Sequence, residues 1–166
     1  RIFDAFAAIL GLCEHISYEG EAAILLESLA VQEQEICNLT GYTLEDFDGK
    51  NIPFKSILLQ VIKELQQGIS KSKIAANFHV TLTDAVRMVA EYNTVDKIAF
   101  SGGVFQNSLL VDLLIEKLYP EFQLYFHRQL PPNDECISFG QLAWIQLKYK
   151  SKEAAAEEQN AVLHTI

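Results

Sequence analysis

Two glycines and an asparagine stand close together in Ser-Gly-Gly-Val-Phe-Gln-Asn at 101–107. Lys97-Ile98-Ala99-Phe100-Ser101 just before them has the composition of a short strand. Residues 104–118 carry Leu110, Leu113, Leu114 and Leu118 at helical spacing. A glycine pair between strand and helix lets a ligand approach the backbone, because no Cβ stands in the way. A helix start offers free N–H groups and a partial positive charge. At the carboxyl end of a strand in an α/β sheet, such turns are where ligands bind. Asn107, about one turn into the predicted helix, can present its amide to a base, ribose or phosphate. The same residues also suit a plain strand–helix turn that binds nothing.

Two carboxylates are the next candidates. Asp134 closes Pro131-Pro132-Asn133-Asp134, a stiff loop ahead of a helix. It can serve as a metal or phosphate-site ligand, or Asn133 or Asp134 can simply cap the helix. Asp4 sits among Ile2, Phe3, Phe6 and Ile9. A buried carboxylate needs a hydrogen-bond donor, such as a ribose hydroxyl or a backbone amide. A first-turn aspartate facing solvent, favoured by the helix dipole, is the other reading.

The remaining chemistry-bearing residues give less. No two of His15, His79, His127 and His164 stand three to five apart, so no helical metal pair is expected. His79 lies in an apolar helical stretch and reads as a satisfied core or edge residue. Cys13, Cys37 and Cys136 form no C-x-x-C pair and have no base at readable spacing. Tyr18-Glu19-Gly20 reads as a turn between two helices.

The elements that must position these residues follow from periodicity. Residues 2–12 are almost all apolar and predict a buried helix stopped near Gly11. Ala22, Leu25, Leu26 and Leu29 mark a helix within 21–36. Tyr42 and Leu44 alternate ahead of Asp48-Gly49, which predicts a short strand and turn. Phe54, Ile57, Leu58, Val61, Ile62 and Leu65 form the stripe of a helix capped by Asn51, with Pro53 in its first turn and Gly68 closing it. Another helix runs from Ser70 to about Tyr92, with Ile74, Phe78, Leu82, Val86 and Val89 along one face. Strand, helix, strand and helix follow, with strands near 97–101 and 122–126 and a last helix over 137–149. The Ala/Glu-rich tail at 150–166 reads as frayed helix or disorder. Residues 1–149 therefore form one α/β, helix-rich unit with a small sheet.

The 166 residues suffice for one domain with a core. Hydrophobic residues make up 49% and charged residues 21%, a globular balance. A net charge of −9 argues against binding nucleic acid, which needs a basic face. No apolar run reaches the roughly 18 residues of a membrane span, and no signal peptide is visible. Free cysteines and no leader fit a cytoplasmic setting. The chain opens inside a helical pattern, as a fragment of a longer protein would.

Taken in order, these motifs resemble one family. The carriers are Arg-Ile-Phe-Asp-Ala-Phe at 1–6, Ser-Tyr-Glu-Gly-Glu-Ala-Ala at 17–23, Phe78-His79 followed by Thr81-Leu82, Ser-Gly-Gly-Val-Phe-Gln-Asn at 101–107, and His127-Arg128 followed by Pro-Pro-Asn-Asp. This pattern resembles the C-terminal transferase domain of HypF-type hydrogenase-maturation carbamoyltransferases, over about residues 1–149. The resemblance implies the second lobe of an actin/Hsp70/sugar-kinase-type (ribonuclease-H-like) domain with a small mixed sheet. It also implies an activity of the whole protein: carbamoyl phosphate and ATP give a carbamoyl-adenylate, whose carbamoyl group passes to the C-terminal cysteine of a HypE-type partner. By the same resemblance, Asp4, Gly20, Gly102, Gly103 and Asn107 fall on nucleotide-binding positions. Asp134 falls on a ligand of a divalent metal, iron, zinc or magnesium. Glu135-Cys136 departs from the Gly-Gly usual there. The family's paired metal-binding histidines lie upstream of this stretch, so the fragment alone is expected to be inactive and to expose apolar surface that a second copy could cover. The competing class is a non-catalytic nucleotide-binding or docking module with a decayed site; a third is a phosphate-binding domain unrelated to hydrogenase.

Overall fold

A computed structural model of the chain describes residues 1–163, with side chains through residue 149. Helix α1, Ile2–Ile9, lies against α2, Glu21–Ala30. A single 3-10 turn, Ile36–Asn38, leads into an extended segment and then α3, Phe54–Gln66. The long helix α4, Lys71–Tyr92, is the axis of the fold and packs against α2 and α5, Ser108–Leu118. Strands β1, Lys97–Ala99, and β2, Gln123–Tyr125, pair in parallel with Ile98 opposite Leu124. Helix α6, Glu135–Leu163, closes the order. The sheet expected to be mixed is parallel and two-stranded among the described residues.

The core explains why α4 is central. Every residue from Ile74 to Thr81 is buried. Phe78 sits between Phe6, at a ring separation of 4.1 Å, and Phe3, edge-on at 5.2 Å. Leu26, Ile57, Val61 and Leu113 belong to the same cluster. A second cluster gathers Ala90, Phe100, Leu110, Leu114, Leu118 and Phe122 under the sheet. In each strand only the middle residue is turned toward the protein.

Several local expectations change. Helix α1 buries only Phe6 and Ala7, and Ala8 and Ile9 stay exposed, so it is buried on one side rather than all round. The strand expected at 42–47 has no ladder partner among the described residues. Its backbone donors go to side chains instead: the Tyr42 N–H to Thr81 Oγ1 at 2.7 Å and the Thr43 N–H to Gln60 Oε1 at 3.0 Å. Asn51 does not cap α3, because its N–H and its side chain both donate to Asp48, at 2.7 and 2.9 Å. Those contacts hold the Asp48 carboxyl down to about 2, chiefly through the Asn51 side chain. Gly68, at φ 73°, closes α3 as expected, with the Ile69 N–H reaching Glu64 O. Ser70 caps α4 by accepting from the Lys73 N–H.

Helix α6 runs past residue 149 as far as Leu163. Of the tail expected to be frayed or disordered, residues 164–166 lie outside the described residues. No helix among the described residues is long and apolar enough to cross a membrane.

Candidate functional site

The carboxyl ends of β1 and β2 lie side by side, and the loops that leave them are tied together. The Gly102 N–H donates to Pro132 O at 2.7 Å, and His127 Nε2 lies 2.9 Å from Ser101 Oγ. Thus the two strongest sequence motifs, at 101–107 and 127–134, meet at one edge. A cavity of about 750 Å³ opens beside them, with His127, Arg128 and Gln129 among its lining residues. A second cavity, about 760 Å³, is lined mostly by apolar side chains such as Phe3, Leu82, Val86 and Phe105. It lies beside β1 and has little that could hold a phosphate, so the polar loops, not this cleft, are the candidate site.

Gly102 adopts φ 110°, a conformation that L side chains rarely reach. A Cβ on Gly102 would meet nothing within 4 Å, and one on Gly103 only Gln106 Oε1 at 4.0 Å. The backbone here is open to a ligand. Residues Gly103–Gln106 form one 3-10 turn before α5 begins. The predicted helix start at 104 therefore lies four residues too early, because the chain needs Asn107 as its cap.

Asn107 is buried, and its amide is turned inward rather than toward a ligand. Its Oδ1 accepts from the Leu110 N–H at 2.8 Å, and its Nδ2 lies 3.1 Å from His79 Nε2. Glu27 reaches over from α2 and accepts from the Leu109 N–H at 3.0 Å and the Ser108 hydroxyl at 2.8 Å. The Leu109 and Leu110 N–H groups in the first turn of α5 are thereby satisfied by side chains of the protein. Two of the N–H groups anticipated for an anion at this helix start are taken, and open backbone lies at the Gly102-Gly103 turn.

His79 is fully buried, with Nδ1 2.8 Å from Ala75 O and Phe3 edge-on at 5.8 Å. Burial pushes its pKa below the usual value, against smaller opposing effects from the Ala75 bond and Glu27. It is the satisfied core residue that its apolar setting predicts. Its link to Asn107, 28 residues on, left no mark in the local pattern.

The other candidates stand apart from this edge. The Asp4 side chain is 39% exposed and pairs with Arg1 at 3.4 Å, the solvent-facing arrangement of a first-turn acid. Gly20, at φ 84°, is the exposed N-cap of α2. No hydrogen bond or ion pair joins either to Gly102 or Gly103 among the described residues. Asp134 is exposed at the entry to α6, where Asn133 Oδ1 accepts from the Glu135 N–H at 3.2 Å. Glu135 and Cys136 have no positive φ, so this turn does not require glycine. Among the described residues, no three His, Cys, Asp or Glu side chains gather as a metal site. Asp134 supplies at most one ligand.

Residues 1–141 match the family model described as carbamoyltransferase, Kae1-like domain, second subdomain. The chain is 32% identical over 148 residues to carbamoyltransferase HypF of Synechocystis, covering 86% of this chain and 18% of that protein. It is 32% identical over 158 residues to HypF of Rhodobacter capsulatus, covering 91% of this chain and 20% of that protein. A crystal structure of full-length HypF in a phosphate- and nucleotide-bound form superposes with a TM-score of 0.69 at 36% identity, over 84% of this chain and 22% of that one. The chain thus spans about a fifth of the length of these relatives.

Proposed function

The chain belongs to the HypF carbamoyltransferase family, and from that premise we propose that it supplies the nucleotide-facing second lobe of a longer carbamoyl-transferring enzyme. In this reading residues 1–149 are the lobe and 150–166 a tail outside it. The Gly102-Gly103 turn carries the proposal: open backbone at the carboxyl ends of parallel strands, tied to the loop that bears Asp134. Gly102 and Gly103 take the nucleotide of ATP and of carbamoyl-adenylate, made from carbamoyl phosphate. Asn107 holds their loop from beneath. Asp4 and Gly20 approach the ribose side, and Asp134 gives one carboxylate to a divalent metal whose other ligands come from outside this chain.

The acceptor is the C-terminal cysteine of a HypE-type partner, in the cytoplasm during hydrogenase maturation. Its thiolate forms the new S–C bond as the carbamoyl carbon parts from the adenylate oxygen, and AMP leaves. This lobe therefore needs no nucleophile of its own, in keeping with its scattered cysteines. Alone it is inactive, and its exposed apolar side chains, Trp144 and Leu142 among them, are covered in the longer protein or by a second copy.

The test is calorimetric titration of ATP, with and without a divalent metal, into the full-length protein and its Gly103→Leu and Asp134→Ala variants. A leucine at 103 fills open space and so blocks the ligand without disturbing the fold. Loss of ATP binding in Gly103→Leu, and of carbamoyl transfer in both variants, supports the reading. Undisturbed binding in Gly103→Leu removes the nucleotide from this turn and leaves a docking module as the better account.

A further inference from the structure

Four groups form a chain of hydrogen bonds from the middle of α4 to the first turn of α5. His79 Nδ1 lies 2.8 Å from Ala75 O, Asn107 Nδ2 lies 3.1 Å from His79 Nε2, and the Leu110 N–H donates to Asn107 Oδ1 at 2.8 Å. The two ends are main chain and cannot change role: a carbonyl only accepts and an amide N–H only donates. That fixes every proton between them. Nδ1 must carry hydrogen, so Nε2 keeps its lone pair and accepts from the Asn107 amide. A proton added at Nε2 would face the Asn107 N–H. Turning the Asn107 amide over would satisfy the ring but set an NH2 against the Leu110 N–H. Any state except the neutral Nδ1–H ring leaves a buried donor unpaired.

Asn107 also helps to hold the glycine turn, beside the Phe105 N–H that donates to Gly102 O at 3.1 Å. The Asn107 N–H donates to Val104 O at 3.2 Å, and the Gly102 N–H donates to Pro132 O on the far side. We propose that His79 is a positioning residue for the Gly102-Gly103 turn, acting through Asn107 and only as the neutral Nδ1–H tautomer. The proposal rests on the nucleotide reading above and deepens it. The surroundings favour that state. Phe3 from α1 and Phe78 from α4 present ring edges to the imidazole. Glu27 from α2 is the charged group that acts on it, yet its carboxylate is already spent on Ser108 and Leu109. Burial outweighs its attraction for a proton.

The test compares the full-length protein with its His79→Gln and His79→Leu variants. ATP affinity is measured from about pH 8 down to the lowest pH at which all three proteins stay folded, because burial sets proton uptake by His79 below the ordinary histidine range. Hydrogen exchange at the Leu110 amide is followed in the same samples. Glutamine can accept from Asn107 near the place of Nε2 and does not titrate. The parent should lose about tenfold or more in ATP affinity in acid, as expected when one buried hydrogen-bond partner is lost. His79→Gln should hold near the parent's neutral-pH affinity throughout. His79→Leu should be weak at every pH, with faster Leu110 exchange. If His79→Gln keeps the parent's acid loss, or if His79→Leu keeps both affinity and Leu110 protection, the proposal is wrong. If His79→Leu loses Leu110 protection while it and Gly103→Leu both bind ATP normally, the nucleotide reading fails and His79 stands as the anchor of the turn.

Discussion

Helices α5 and α6 each follow a strand of the same parallel pair, and each is entered through an asparagine. There the likeness ends. Asn107 is buried, caps Leu110 and is held by His79 of α4, while Glu27 of α2 secures the next N–H. Asn133 is only half-buried; its side chain accepts from the Glu135 N–H and its carbonyl from the Cys136 N–H. Leu110, Leu113, Leu114 and Leu118 of α5 are all buried, whereas Ile137, Phe139, Leu142, Trp144 and Ile145 of α6 are exposed. A run of large apolar residues thus yields a core helix in one case and an uncovered one in the other. What separates them is a surface to pack on: α5 has α4, and α6 has nothing comparable among the described residues.

The largest effect should come from cutting that difference at its root. Phe78→Ala removes the ring between Phe3 and Phe6 and should cost about 3–5 kcal/mol in denaturant unfolding. Trp144→Ala in this same chain should stay within about 0.5 kcal/mol, as exposed substitutions do. Equal costs would mean that α6 packs on this chain in solution, and the contrast would collapse. Next is Asn107→Ala, which removes a cap and orphans His79 Nε2 together; about 2–3 kcal/mol is expected. A loss below about 0.5 kcal/mol would show that α5 does not depend on its buried cap.

Acid sharpens the comparison further. The folded state holds His79 below its usual pKa, so the unfolded chain binds the extra proton first. The stability from neutral His79 is fully present above about pH 6.5 and is lost as pH falls from there toward the folded-state pKa, by at most about 1.4 kcal/mol per pH unit for one proton. Unfolding followed against pH should show this slope in the parent and lack it in His79→Gln. An unchanged slope would move the proton to another group.

The strands, the stripes of α3 and α4 and the glycine turn were legible because each depends on neighbours in sequence. Periodicity also found α5, but started it at residue 104, since only the tertiary partners His79 and Glu27 make Asn107 a cap. The strand expected at Tyr42 failed for a related reason. Alternation reports a half-buried extended chain, and here Thr81 and Gln60 side chains take the place of a partner strand. Asn51 was lost to Asp48, three residues away, a competition between two polar side chains that composition does not rank. Of the site, the meeting of the 101–107 and 127–134 loops follows from parallel pairing. Gly20 rests on family resemblance alone, whereas Asp4 also drew notice among apolar neighbours, although its side chain turns to Arg1 and solvent.

The smallest effect belongs to the other asparagine. Asn133→Ala removes one acceptor from the Glu135 N–H at the start of α6, where water can replace it. About 0.5–1 kcal/mol is expected, against the larger cost at Asn107. The difference matters more than either value. A buried cap is coupled to what surrounds it, so the double variant Asn107→Ala with His79→Leu should cost less than the sum of the two single changes. Asn133→Ala combined with His79→Leu should be additive within about 0.5 kcal/mol. Additivity in both pairs, measured by denaturant unfolding, would reduce the buried chain to two independent contacts and leave α5 and α6 differing only in burial.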